Sequence, residues 1–222
     1  MVRHNCYTCS ASITLVTLKL PDSFYNRKDV VKIARELLGK VIVTDIGGIR
    51  TAGIIVETEA YAGPADKACH AYMRRNTART SPMFRAGGIA YVYLIYGIYH
   101  LFNIVTHGEE EPYAVLVRAI EPLEGIDAML DRRGFEDVKP GLTSGPGILS
   151  IALGITRALS GASLQGPEIW LEDRGIRVAQ KDIVATTRVG VAYAAEDALL
   201  PYRFFIRGNA YVSKGKGLPL AG

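Results

Sequence analysis

The segment Val56-Glu57-Thr58-Glu59-Ala60-Tyr61 places two carboxylates and a phenol at alternate positions. In a strand, alternate side chains share a face, so Glu57, Glu59 and Tyr61 project together. If the end of that face opens on an apolar cleft, burial raises a carboxyl pKa and a nearby arginine lowers it, leaving a base suited to activating water. The competing reading is a solvated polar strand face, the ordinary meaning of such alternation. Arg118 is more pointed, because it interrupts the apolar run 114–120. A charge in a buried strand requires a carboxylate partner, and Glu59 is the expected one.

Tyr91, Tyr93, Tyr96 and Tyr99 with Asn103 form a second cluster around Gly97. Tyrosines so concentrated are either core or a stacking surface for bases. Tyr96-Gly97 reads as a turn, where a large ring is exposed and able to wedge into DNA. Between the clusters lie His70 and a basic stretch with Arg74, Arg75, Arg79 and Arg85. Taken alone, these read as a structural histidine and a solvated loop. Cys6 and Cys9 with Cys69-His70 make only an incomplete zinc set, so no metal is expected. Neither a phosphate-binding glycine loop nor a nucleophile elbow occurs, so no nucleotide cofactor and no serine hydrolase is indicated.

These groups need a scaffold, and the periodicity supplies one. Apolar residues at helical spacing from Val30 to Leu38, ended by Gly39, predict a helix. Residues 40–45 and 49–58 predict two antiparallel strands joined at Gly47-Gly48. Residues 62–88 have no period and read as a long surface excursion, a length usually reserved for function or disorder. Strands are predicted over 89–95, 101–106, 114–120, 168–171, 183–191 and 203–207, and helices over 123–132 and 147–154. Thr143-Ser144-Gly145-Pro146 offers the last helix cap hydroxyls and an early proline. The expected fold class is therefore α+β, a single domain with a mainly antiparallel sheet surrounded by helices.

The 222 residues, 49% hydrophobic and 22% charged, suffice for one domain with a substantial core. A formal charge of +4 is only mildly basic, so any nucleic-acid footprint rests on where Lys and Arg lie. Three cysteines argue against a disulfide scaffold and fit a reducing intracellular compartment. The apolar stretch near the start is too diluted for a signal peptide, and no run is long enough for a membrane span.

Taken in order, these motifs resemble the 3-methyladenine (alkyladenine) DNA glycosylase family. The similarity runs from about Val30 to Ser213, through Leu37-Leu38-Gly39-Lys40, Val56 to Tyr61, Met83-Phe84, Tyr91-Val92-Tyr93, Ile95-Tyr96-Gly97 and Arg118-Ala119. It continues through Glu121-Pro122-Leu123-Glu124-Gly125, Leu142 to Pro146, Arg188-Val189-Gly190-Val191 and Arg207-Gly208. The resemblance implies a curved sheet like that of the formyltransferase C-terminal domain, in a domain over residues 21–222 after an extension over 1–20. It implies a monofunctional enzyme that flips alkylated or deaminated purines from duplex DNA and hydrolyses their glycosidic bond, with no cofactor.

In that reading Glu59 is the general base, Arg118 helps to place the water and the Val189 carbonyl completes its cradle. Tyr61 and the His70 segment form one wall of the base pocket, Tyr93 stacks opposite, and Asn103 screens out normal guanine. Tyr96 fills the gap in the duplex beside Ile98 and Tyr99, while Arg75, Thr77 and Arg79 meet phosphates. The implied partner is damaged double-stranded DNA, with no membrane and no second copy of the chain. The implied location is with the chromosome, in the cytoplasm of a prokaryote or the nucleus of a eukaryote. Three features depart from the family pattern: the extension with Cys6 and Cys9, the acidic loop Gly108-Glu109-Glu110-Glu111, and His100 at a usually apolar position.

Overall fold

Strand formation follows the β-branched and aromatic runs. In the computed structural model, which describes residues 19–219, eight strands form one antiparallel sheet curled into half a barrel. They are β1 (Val41–Ile46), β2 (Ile49–Tyr61), β3 (Ala90–Ile95), β4 (Tyr99–Thr106), β5 (Tyr113–Glu124), β6 (Ile169–Glu172), β7 (Ile183–Thr186) and β8 (Arg203–Ile206). The order is β3-β4-β5-β2-β1-β6, and β8 joins the far half of β2 to β7. Among the described residues no helix is long and apolar enough to cross a membrane. The predicted extension with Cys6 and Cys9 lies outside the described residues, apart from Lys19 and Leu20.

The sheet sorts its side chains by parity. Val115 and Val117 on β5, Ala90 and Val92 on β3, and Phe102 and Ile104 on β4 enter the main core. There they meet Ile33, Ala34 and Leu37 of α2 (Val30–Glu36) and the segment after it. Each buried Val, Ile, Leu or Phe among them contributes roughly 1.5–3 kcal/mol of transfer free energy. The alternate residues, Leu116, Arg118, Tyr91, Tyr93, Leu101 and Asn103, face the other way and line a cavity.

Short helices are placed by their caps. Asp29 accepts the Lys32 amide at 2.8 Å and starts α2, which Gly39 ends at φ +84°. The turn α1 (Asp22–Tyr25) precedes it. α3 (Ile126–Arg133) lies between two left-handed glycines, and its last-turn Arg132 reaches the Ala152 carbonyl at the end of α4 (Pro146–Ala152). Gly147 brings α4 against Tyr99, because a Cβ there would stand 2.6 Å from that of Tyr99.

Several boundaries differ from the sequence expectation. β2 runs to Tyr61 and β5 to Glu124, so the helix expected from residue 123 begins only at Ile126. Pairing with β2 keeps Leu123 and Glu124 out of that helix. The strand expected over 183–191 ends at Thr186, where its partner β8 runs out. Thr143 and Ser144 do not cap α4; their hydroxyls donate instead to the carbonyls of Ile120 and Val212.

The pairing of β2 with β5 carries an irregularity where the chemistry-bearing residues lie. Ile55 pairs with Ile120, Glu57 with Ala119 and Thr58 with Val117, so Val56 is the extra residue on β2 and Arg118 the extra residue on β5. Such bulges re-aim side chains and sharpen the twist. Here they set Arg118 directly against the carboxylates of β2.

Gly147→Ala is expected to lower stability by about 1–3 kcal/mol through overpacking against Tyr99, measured by urea unfolding. Wild-type stability in this variant would mean that Tyr99 yields freely and does not fix α4.

Candidate active site

Glu57 and Glu59 are fully buried, which removes the reading of a solvated strand face. Arg118 lies between them, with Nε donating to Glu57 Oε1 at 2.7 Å and Nη1 at 3.2 Å from Glu59 Oε1. The expected pairing with Glu59 is therefore present, and the shorter contact belongs to Glu57. Glu57 also accepts from Arg203 Nε at 2.8 Å, from the Ser213 amide at 2.6 Å and from the Ser213 hydroxyl at 2.9 Å. Burial opposes the Arg118 charge, and the two carboxylates outweigh it, so its pKa is raised. Arg118 stays a cation.

Glu59 holds its two oxygens differently. Oε1 accepts the Val189 amide at 2.7 Å, and Oε2 accepts the Tyr61 hydroxyl at 2.9 Å. The group of Val189 that reaches the carboxylate is thus its N–H. Burial, with Glu59 and Tyr93 nearby, pushes the Tyr61 pKa well up, so this phenol keeps its proton and remains a donor.

Above this floor lies a cavity of about 730 Å³ lined by Tyr61, His70, Tyr93, Asn103, Arg118 and Val189 among others, within the roughly 300–1,000 Å³ typical of small-molecule sites. The His70 ring meets that of Tyr93 edge-on at 4.6 Å, and its Nδ1 shares a hydrogen bond with the Tyr91 hydroxyl at 2.9 Å. Burial, then Arg79 and Arg75, lower the His70 pKa to about 4, so the ring is neutral at pH 7. Asn103 donates its amide to the carbonyls of Tyr91 and Leu101. The residues expected to form the pocket are together, and Tyr91, 1% exposed, both lines the cavity and packs into the buried cluster beneath it.

Sequence reading missed what holds these walls. Arg188, 1% exposed, grips Asp66 with both Nη atoms at 2.5 and 2.9 Å and also donates to the Ala60 and Asp197 carbonyls. Asp66 in turn accepts the amides of Ala62 and Ala68, so the ion pair fixes the start of the excursion that carries His70. The Arg188 guanidinium also lies 4.9 Å over the Tyr61 ring. Arg203 and Ser213 were missed as well. The only signal for the arginines was charge within an apolar neighbourhood, the criterion that did find Arg118.

The outer elements divide. Tyr96 stands at φ +54° and is 83% exposed at the β3–β4 turn, next to Gly97 at φ +70° and the exposed Ile98. A non-glycine residue there costs on the order of 1–3 kcal/mol, a strain that concentrates at functional sites. Tyr99 turns inward, lining the cavity beside Gly147. Arg75 and Thr77 are exposed, and Thr77 closes a small loop through Thr80. Arg79 reaches over the Tyr93 ring at 4.8 Å and stands at the cavity mouth. In the acidic loop, the Glu110 amide donates to the Phe84 carbonyl and its own carbonyl accepts from Arg74, which ties the loop to the basic excursion. His100 is half-buried, and burial, then Arg157, lower its pKa.

Comparison with known proteins matches residues 23–210 to the family described as methylpurine-DNA glycosylase. A protein of Chlamydia abortus is 48% identical over 189 residues, covering 84% of this chain and 97% of its own length. One of Bacillus cereus is 45% identical over 206 residues, covering 89% of this chain and 100% of its own. Both names provisionally assign 3-methyladenine DNA glycosylase.

Asp66→Ala is expected to cost about 3–5 kcal/mol by stranding the buried Arg188 charge, whereas Lys67→Ala, which removes an exposed pair with Glu196, should leave unfolding unchanged. Equal small effects would mean that the carbonyl partners alone hold Arg188. A second expectation concerns pH. The folded His70 pKa is depressed from 6.5 to about 4. Its contribution to stability is therefore complete above pH 6.5 and lost as pH falls toward about 4. His70→Gln should flatten the stability profile across that window; an unchanged slope in urea titrations would assign it to other groups.

Proposed function

This chain belongs to the methylpurine-DNA glycosylase family and is a DNA N-glycosylase, and from that premise we propose that it flips alkylated or deaminated purines out of duplex DNA and hydrolyses their bond to the sugar without cleaving the strand. The substrates are 3-methyladenine, 7-methylguanine, hypoxanthine and ethenoadenine. The observation that carries the reading is a fully buried carboxylate, Glu59, held by Val189 and Tyr61, two residues that line an aromatic cavity large enough for a base.

Enzymes that act on a base must first take it out of the stack, at a cost of a few kcal/mol that is smaller for a damaged pair. Tyr96, strained and exposed beside Ile98, is the wedge that takes the vacated place. Tyr99 supports that turn from the cavity side. Arg75, Thr77 and Arg79 meet the backbone phosphates from the excursion. Inside the cavity the base lies between Tyr61 with the His70 segment and Tyr93. A cationic ring over an aromatic face gains roughly 0.5–2 kcal/mol, which normal purines forgo. Asn103 meets the base edge and rejects the exocyclic amine of guanine.

Water then attacks C1′ and gives its proton to Glu59, while the C1′–N bond breaks and its electron pair leaves with the purine. Arg118 and the Val189 carbonyl position that water. The carboxylate also stabilises the positive charge that develops on the sugar. Among the residues lining the cavity there is no lysine to attack C1′ in place of water, which supports a monofunctional reaction.

The test is base release from methylated duplex DNA and from oligonucleotides with one hypoxanthine or ethenoadenine. Glu59→Gln should reduce release at least about 100-fold, the low end of general-base contributions, with damaged-duplex binding retained. A folded wild type that binds these duplexes and releases nothing would instead be a non-catalytic damaged-DNA binding module.

A further inference from the structure

Glu57 is fully buried two residues from the proposed base, and of the ion cluster around the two carboxylates only Arg118 lines the cavity. We propose that Glu57 is a positioning residue: together with Arg203 and Ser213 it draws Arg118 away from full pairing with Glu59, and so leaves Glu59 free to take the water's proton. The inference rests on the reading of Glu59 as general base.

Three observations support it. First, the planar Arg118 fork is committed on the Glu57 side, through Nε to Glu57 at 2.7 Å and Nη2 to the Ser213 hydroxyl at 3.3 Å. A rigid guanidinium held at two nitrogens has its third direction fixed, and here Nη1 touches Glu59 at one oxygen only, 3.2 Å away. Second, Glu57 cannot turn aside, because Arg203 Nε and the Ser213 amide and hydroxyl hold both of its oxygens. Third, the charges balance. Glu57, Glu59, Arg118 and Arg203 are all at most 6% exposed and supply two charges of each sign.

The other groups near Glu59 do not upset that balance. Arg188 is matched by Asp66. Tyr61, Tyr93 and Tyr193 are phenols whose pKa values burial raises, so they stay neutral. Removing the Glu57 charge would leave two guanidiniums facing one carboxylate, making Glu59 a weaker base. Removing the Arg203 charge would do the opposite.

The experiment is single-turnover base release from methylated duplex DNA by the full chain across pH, with lesion-duplex affinity measured in parallel. Glu57→Gln is expected to slow release about tenfold and move the acidic limb about one pH unit lower, the size of shift that a neighbouring unit charge produces, at unchanged affinity. Arg203→Met should move the limb higher, and the double variant should restore it. Ser213→Ala, which removes no charge, should slow release several-fold at unchanged affinity.

A fixed limb in folded Glu57→Gln and Arg203→Met, or shifts of the same sign, overturns the proposal. If those two variants do not fold, a wild-type rate in Ser213→Ala overturns it. Undiminished release by Glu59→Gln would overturn the general-base reading itself.

Discussion

A carboxylate without exposure must find donors, and the architecture around β2 is arranged to supply them to Glu57. Arginines from β5 and β8 and a serine from the segment after β8 all end on it. Breaking a buried pair by deleting one partner costs about 3–5 kcal/mol, so the strands that bring these partners are locked in register by a polar requirement as much as by apolar packing. The complementary irregularities at Val56 and Arg118 belong to the same arrangement. Without them β2 and β5 would pair regularly, and the guanidinium would not meet both carboxylates. The final residues are drawn in too, since the chain at Gly217 passes so close to Thr187 that any side chain there would overlap it.

Much of this was legible in the residues. Alternation of apolar and polar side chains located the β1–β2 hairpin, the three strands β3, β4 and β5, and the shared face of Glu57, Glu59 and Tyr61. Arg118 was identified as paired because charge in an apolar strand leaves few other possibilities. The bulges were not legible, because a shift of register depends on the partner strand and leaves no mark in either sequence alone. The same holds for Asp66 with Arg188, which are 122 residues apart and meet only through the fold. Arg203 failed as a signal because it stands at the first position of a strand only four residues long, too short to display a period.

The cavity and its supports have opposite electrostatic demands. Its aromatic walls favour a cation, whereas the arginines behind them are held there only because each faces a carboxylate. His70 fits this division, since burial beside Arg79 and Arg75 keeps it neutral and adds no fixed positive charge to the wall. Shape and charge are thus supplied by different groups, the first by tyrosines on the sheet and the second by paired ions beneath it.

Ser213 lies 156 residues after the carboxylate it secures. During synthesis the Glu57–Arg118 part of the sheet emerges long before the residue that closes it. The ring of donors around Glu57 is therefore completed only once residue 213 has emerged. A chain interrupted shortly before Ser213 would retain nearly all of the core, and with it the shape of the cavity, while two oxygens of Glu57 lost donors in the interior. Continuity of the chain as far as Ser213 is thereby coupled to the donor set of Glu57, so that a break just before it leaves a largely intact core around a buried carboxylate short of donors.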